Sequence, residues 1–222
     1  MYCLLLTESF ARLFLFDRSG VCYSEEVNIH EKPVEFVQMI LLVSSPDCAV
    51  VGCDTSIYWK TGPDRVSSRY IKTVDGEGSA IEYRIDNKGG RPYFSRETIK
   101  GRGTCCWMVD GGLLVKDQWV SEGRVPEQEY LKEAQDLEFV GQMVACENGT
   151  STAVIRGFAS YEDDCSDEDK QAFRNRLFSR ITLKYAGKKL KYFSTTEELI
   201  YALRDAIKGK HLVKLNFRAP RC

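Results

Sequence analysis

Alternation dominates the first thirty residues. Arg12, Phe14 and Phe16 fall on one side of an extended chain, and Ala11, Leu13 and Leu15 on the other. Asp17, Arg18, Ser19 and Gly20 form a turn sequence, and residues 21–29 continue as a second strand. The pattern predicts a hairpin within an antiparallel sheet, with Leu13 and Phe16 in the core. The period then changes. Phe36, Val37, Ile40 and Leu41 follow helical spacing behind Pro33, a residue suited to a first helical turn, and Ser44, Ser45, Pro46 and Asp47 stop the helix. Residues 49–58 are apolar and read as extended, residues 60–65 as a loop, and residues 71–74, 80–85 and 93–94 as strands.

Residues 100–119 form the best-defined hairpin. Asp110, Gly111 and Gly112 supply a turn that favours positive φ, and Leu113, Leu114 and Val115 lead to the basic Lys116. The first strand opens on Gly101, Arg102, Gly103 and Thr104. Gly101 and Gly103 lack a Cβ, which lets their backbone lie close to a bulky ligand.

Beyond the hairpin, residues 126–140 predict a helix with Pro126 in its first turn and a thin apolar stripe of Leu137 and Val140. Residues 143–146 read as a strand with residues 154–158 as its partner. Residues 161–170 are a polar acidic run of the kind that is usually a solvated loop. Residues 181–185 predict a strand, followed by a turn and the basic patch of Lys188, Lys189 and Lys191. Ser194 with Glu197, and Thr195 with Glu198, make overlapping capping boxes. The helix they open puts Leu199, Ala202, Leu203, Ala206 and Ile207 on one face and is expected to end near Gly209.

Composition narrows the classes. Lys plus Arg is 31 and Asp plus Glu is 32 in 222 residues, a net charge of −1, so no basic field implies a nucleic-acid partner. No apolar run reaches the roughly 18 residues of a bilayer span, and no basic segment precedes an apolar stretch at the N-terminus. A membrane partner is therefore not expected, and an intracellular location is. The nine cysteines include no C-x-x-C pair, and His30 and His211 are the only histidines, so reduced cysteines are expected rather than a metal centre.

The glycine-rich strand, tight turn and lysine after three apolar residues resemble the phosphate-binding hairpin of protein kinases, with Cys106 in place of a third glycine. Six stretches resemble the fungal-type protein kinases in order and spacing: residues 14–37, 101–107, 115–119, 129–134, 179–193 and 198–211. The resemblance implies an α+β fold: an antiparallel-sheet kinase-like N-lobe, preceded by a sheet-plus-helix extension and followed by a helix. The expected division is an extension over residues 1–75, a nucleotide lobe over 76–193, and a helix with a basic tail over 194–222.

The same resemblance implies that Gly101, Gly103 and Thr104 belong to the nucleotide loop and that Lys116 touches the phosphates. It places a carboxylate partner of Lys116 on the 126–140 helix. Glu129 opens the matching segment, and Glu133 has Leu137 and Val140 four and seven residues on; Glu129 is slightly preferred. The family's H-R-D and D-F-G segments, which orient the acceptor hydroxyl and hold magnesium, occur nowhere in the chain. The expectation is a shortened kinase-like protein without catalysis of its own. It would bind ATP weakly, hold no magnesium, and bind a protein partner through the exposed face of the 194–209 helix. The alternative is a fragment of an active ATP-dependent kinase completed by a missing C-terminal lobe.

Overall fold

A computed structural model of the chain describes residues 1–86, 91–158, 173–184 and 190–218. The acidic run at 161–170 and the turn and first two lysines after residue 184 lie outside these residues. The fold is α+β, with three antiparallel sheets and four helices among the described residues.

The first sheet holds β1 (Tyr2–Leu6), β2 (Phe10–Asp17), β3 (Gly20–Tyr23) and β4 (Val27–Asn28). β2 pairs with all three others. The alternation predicted here is present, but Ala11 and Leu15 are the buried pair on β2, while Leu13 and Phe16 are half-buried. Helix α1 (Pro33–Val43) starts at Pro33 and closes when the Ser44 amide donates to the Ile40 carbonyl. None of its residues is buried.

Residues 49–56 are not extended. Amide-to-carbonyl bonds from Val51 to Asp47 and from Cys53 to Cys48 curl the chain before β5 (Ile57–Thr61). β5, β6 (Ser67–Val74) and β7 (Ala80–Arg84) form the second sheet. Residue 75 lies in the turn of the β6–β7 hairpin, so this sheet draws on both sides of the boundary expected there.

The third sheet has five strands: β8 (Phe94–Ser95), β9 (Cys105–Val109), β10 (Leu113–Ser121), β11 (Gln142–Ser151) and β12 (Arg176–Lys184). Its spatial order is β11-β12-β10-β9-β8. The β9–β10 hairpin forms as its turn sequence requires, with φ of 76° at Gly111 and 71° at Gly112, values that glycine adopts at little cost. One face of this sheet packs on the second sheet. Ile71, Ile85, Trp107, Val109 and Val115 are the buried core between them. Burying a side chain of this size is worth roughly 1.5–3 kcal/mol, so this cluster holds the two sheets together.

Three expectations, two helices and a strand, are corrected. The helix over 126–140 is only α2 (Glu127–Glu133). Beyond it Asp136 and Phe139 both take φ of 63°, outside helical space, and the Gln142 amide donates to the carbonyls of Leu137 and Val140, both at 3.0 Å. A side chain thus satisfies carbonyls that a continuing helix would have used. Residues 154–158 are not a strand: α3 (Thr152–Ile155) occupies that stretch, capped by the Ser151 hydroxyl, and the partner of β11 is β12. Helix α4 (Thr196–Arg218) does not stop near Gly209. Thr195 caps it by accepting from the Glu198 amide at 3.1 Å, as its capping box predicts. Gly209 is instead a contact glycine, since a Cβ there would sit 2.7 Å from the Phe139 carbonyl oxygen. No helix among the described residues is long and apolar enough to cross a membrane.

Candidate functional site

Lys116 sits midway along β10, the third strand of the five-stranded sheet in chain order. Its cross-strand neighbours are Cys106 and Ile181. The alternation of the strand puts it on the face opposite the inter-sheet core. Helix α2, the first helix after β10, covers that face: Gln128 is buried and bonds Asn148 of β11 and Ser179 of β12 at 3.1 and 3.2 Å.

This docking brings the start of α2 to Lys116. The Lys116 Nζ donates to both carboxylate oxygens of Glu127, at 2.7 and 2.5 Å. The pair is partly open, with 19% of the lysine and 35% of the glutamate side chain exposed. The expected partners do not make this contact. Glu129 accepts from Lys132 at 3.1 Å on the exposed side of the helix, and Glu133 is half-buried at its last residue. The reason is helical phase. At about 100° per residue, positions 129 and 133 lie 200° and 240° round the axis from 127. The signal in the sequence was weak: an acidic residue directly after Pro126 reads first as a favourable dipole contact.

Burial pushes the Cys106 thiol above its ordinary range, against the pull of the neighbouring Lys116 ammonium. That shift favours the neutral thiol at Cys106, which is buried across the strand pair from the lysine.

The glycine segment lies toward the end of β10 beyond Lys116; the Trp119 amide donates to the Arg102 carbonyl at 2.7 Å. Gly101 has φ of 127° and Gly103 φ of 52°. Thr104 is half-buried, and its carbonyl accepts from the Arg96 amide at 3.0 Å. The group that approaches Gly103 most closely comes from the same chain. A Cβ at Gly103 would overlap the Arg18 guanidinium. Arg18 Nη1 donates to the carbonyls of Thr98 and Ile99 at 2.7 and 3.2 Å, and the Gly101 amide donates back to the Arg18 carbonyl at 2.9 Å. Local sequence gives no hint of this contact, because about 80 positions separate the two segments.

The turn that carries Arg18 is itself anchored. Asp17 takes a bidentate bond from Arg156 at 2.6 and 3.0 Å, and its carboxylate also accepts from the Ser19 amide at 2.7 Å. The Ser19 hydroxyl is bonded to the Arg174 carbonyl at 2.6 Å. Charge-assisted, two-pronged bonds of this kind fix orientation as well as distance.

The face of β10 behind Lys116 holds a different ion pair. Arg180 Nε and Nη2 donate to the two oxygens of Asp117 at 2.6 and 3.0 Å. Its remaining donors reach the Ser56 hydroxyl, the Lys72 carbonyl and the Asp54 carboxylate at 2.7, 2.8 and 3.0 Å. All five guanidinium hydrogens are thus used. Arg180 is 2% exposed. Burial pushes the Asp117 carboxyl up, and Arg180 opposes that shift.

Among the described residues no group of three His, Cys, Asp or Glu side chains is placed to hold a metal ion. A family model described as fungal protein kinase matches residues 1–152 and 142–216. No curated protein and no solved structure gives a match.

Proposed function

The chain belongs to the fungal protein kinase family, and from that premise we propose that it is a nucleotide-binding module that does not transfer phosphate by itself. The observation that carries this is the Lys116–Glu127 pair. In protein kinases an ion pair between a lysine on the third strand and a glutamate on the following helix must be in place for the nucleotide phosphates to be held. Here the pair joins the third strand of the five-stranded sheet to the first helix after it, and the lysine keeps part of its surface open. Gly101 and Thr104 would hold the phosphates from the side of β9, with Gly103 beneath the Arg18 guanidinium, and Lys116 would bind their charge. The residues present fit ATP in this respect. They do not fit magnesium, for which the chain carries no D-F-G aspartate.

Phosphoryl transfer needs an aligned hydroxyl and a metal as well as a bound nucleotide. The groups that supply these in kinases sit in H-R-D and D-F-G segments, and neither occurs in these 222 residues. Loss of the base alone removes on the order of 10²–10⁴-fold in rate. The exposed Ile200, Leu203 and Ile207 of α4 are the surface through which this module would meet a protein partner.

The test is titration of the purified chain with ATP, with and without magnesium, alongside incubation with labelled ATP and a generic protein acceptor. Weak binding that magnesium barely changes, lost in Lys116→Ala, and no transfer, is the expected result. Binding that survives Lys116→Ala overturns the assignment of the site. Transfer that disappears in Lys116→Ala overturns the proposal that the module lacks catalysis.

A further inference from the structure

A cavity lies on the far side of the five-stranded sheet from Lys116. Asp117 and Trp119 point toward that side, and the β2–β3 hairpin and the loop at 49–54 stand against it. Between them is a space of about 800 Å³. That size is ordinary for a small-molecule site, as is a wall that is mostly apolar with a few polar groups. Its rings are Tyr2, Phe16, Trp107, Trp119 and Phe178. Trp119 and Phe178 already pack with their centroids 5.4 Å apart, a tilted pair that offers a further aromatic ring a surface.

The polar groups on the wall divide by whether their bonding capacity is spent. The Asp17 carboxylate is held by Arg156, and the Asp117 carboxylate by Arg180. Asp54, at the rim, is held by Arg180 and by the Ser56 amide and hydroxyl. What remains unspent is donors. Arg18 uses Nη1 on two carbonyls, while its Nε and Nη2 have no acceptor among the described residues.

We propose that this cavity is a binding site for a planar aromatic carboxylate of small-molecule size. The ring lies against Trp119 and Phe178. The carboxylate accepts from Arg18. Gly103 lies on the wall of this cavity, so the cavity adjoins the proposed nucleotide site, whose Lys116 is on the other face of β10.

The test uses the full chain and calorimetric titration with 2-naphthoate, and with 2-naphthylmethylamine as a cation of the same ring size. Naphthoate is expected to bind at one site and the amine not to bind. Arg18→Ala should weaken naphthoate at least tenfold. Ile99→Trp, at a rim residue that is 52% exposed, should block the mouth and abolish binding without disturbing the core. Leu203→Asp on α4 should leave binding unchanged and so exclude uptake on that exposed apolar face. Absence of naphthoate binding, equal binding of the amine, or binding retained in Ile99→Trp overturns the proposal. Should Arg18→Ala fail to fold, Ile99→Trp and the amine decide it.

Discussion

Lys116 and Asp117 are adjacent on β10, each is ion-paired, and the two pairs do opposite work. Asp117 faces the interior between the sheets, and its partner Arg180 has every hydrogen bonded, including those to Asp54, Ser56 and the Lys72 carbonyl. That pair staples the five-stranded sheet to the segments before it. Lys116 faces α2, keeps 19% of its side chain open, and is held by one carboxylate. A saturated buried ion has no capacity left for a ligand, whereas a half-open ammonium with a single partner does. The comparison separates the two charges by what each has left to bond.

The largest effect that would break the comparison is on the buried side. Arg180→Ala leaves Asp117 buried without its counter-charge, and a loss of about 3–5 kcal/mol is expected in denaturant unfolding. Arg180→Met combined with Asp117→Leu should regain most of that loss, because removing both charges removes the desolvation cost together with the attraction. A single variant within 1 kcal/mol of the parent in the same measurement would mean that the staple is not one.

A smaller effect belongs to the glycine segment, which is tied to the same side through Arg18. Gly103 has φ of 52°, so Gly103→Ala places a Cβ in left-handed backbone. A cost of about 1–2 kcal/mol is expected from thermal unfolding. Part of it should disappear in an Arg18→Ala background, where the overlap with the guanidinium is relieved. Equal costs in both backgrounds would show that Arg18 moves aside freely.

On the open side, stability should barely respond. Lys116→Ala and Glu127→Gln are each expected to cost about 0–1 kcal/mol, as partly exposed pairs do. Nucleotide titration should separate Glu127→Gln, which weakens binding several-fold, from Glu129→Gln and Glu133→Gln, which do not. Weakening by Glu129→Gln instead would return the role to that residue.

The two cysteines of β9 sharpen the contrast at the smallest scale. Burial, with the nearby Asp117 charge second, pushes the Cys105 thiol up to about 11. At pH 8 roughly one molecule in a thousand carries that thiolate, so alkylation of Cys105 should be slow and should keep accelerating as pH rises toward 11. The exposed Cys48 serves as the internal reference in mass-spectrometric labelling. Lys116→Ala should slow the labelling of Cys106, whose thiolate the ammonium favours, and leave Cys105 unchanged. A Cys105 rate equal to that of Cys48 would contradict its environment.

Much of this was legible along the chain, and the limits have physical causes. Alternation at residues 10–17, Pro33 at the start of α1, the Asp110–Gly112 turn and the Thr195 cap are local features, and each appears where the sequence places it. Helix α2 stopped seven positions short because the Gln142 side chain, on the next strand, took over carbonyls that propensity assigned to a longer helix. Gly209 reads as a helix end, yet it is in α4 because the Phe139 carbonyl comes too close for any side chain.

The sequence by itself determined the antiparallel character of the sheets, the β9–β10 hairpin with Lys116 on its second strand, and the family. These depend on period, turn chemistry and residue spacing within a few positions. Only the tertiary structure decided that Glu127 rather than Glu129 or Glu133 meets Lys116, that Arg18 covers Gly103, and that Arg180 gathers Asp54, Ser56, Lys72 and Asp117. Those contacts join segments 11 to 126 positions apart. Which charge meets which is set by how the sheets and helix dock, and the docking is driven by non-directional apolar burial at Ile71, Trp107 and Val115 that carries no record in the local pattern of the charges it brings together.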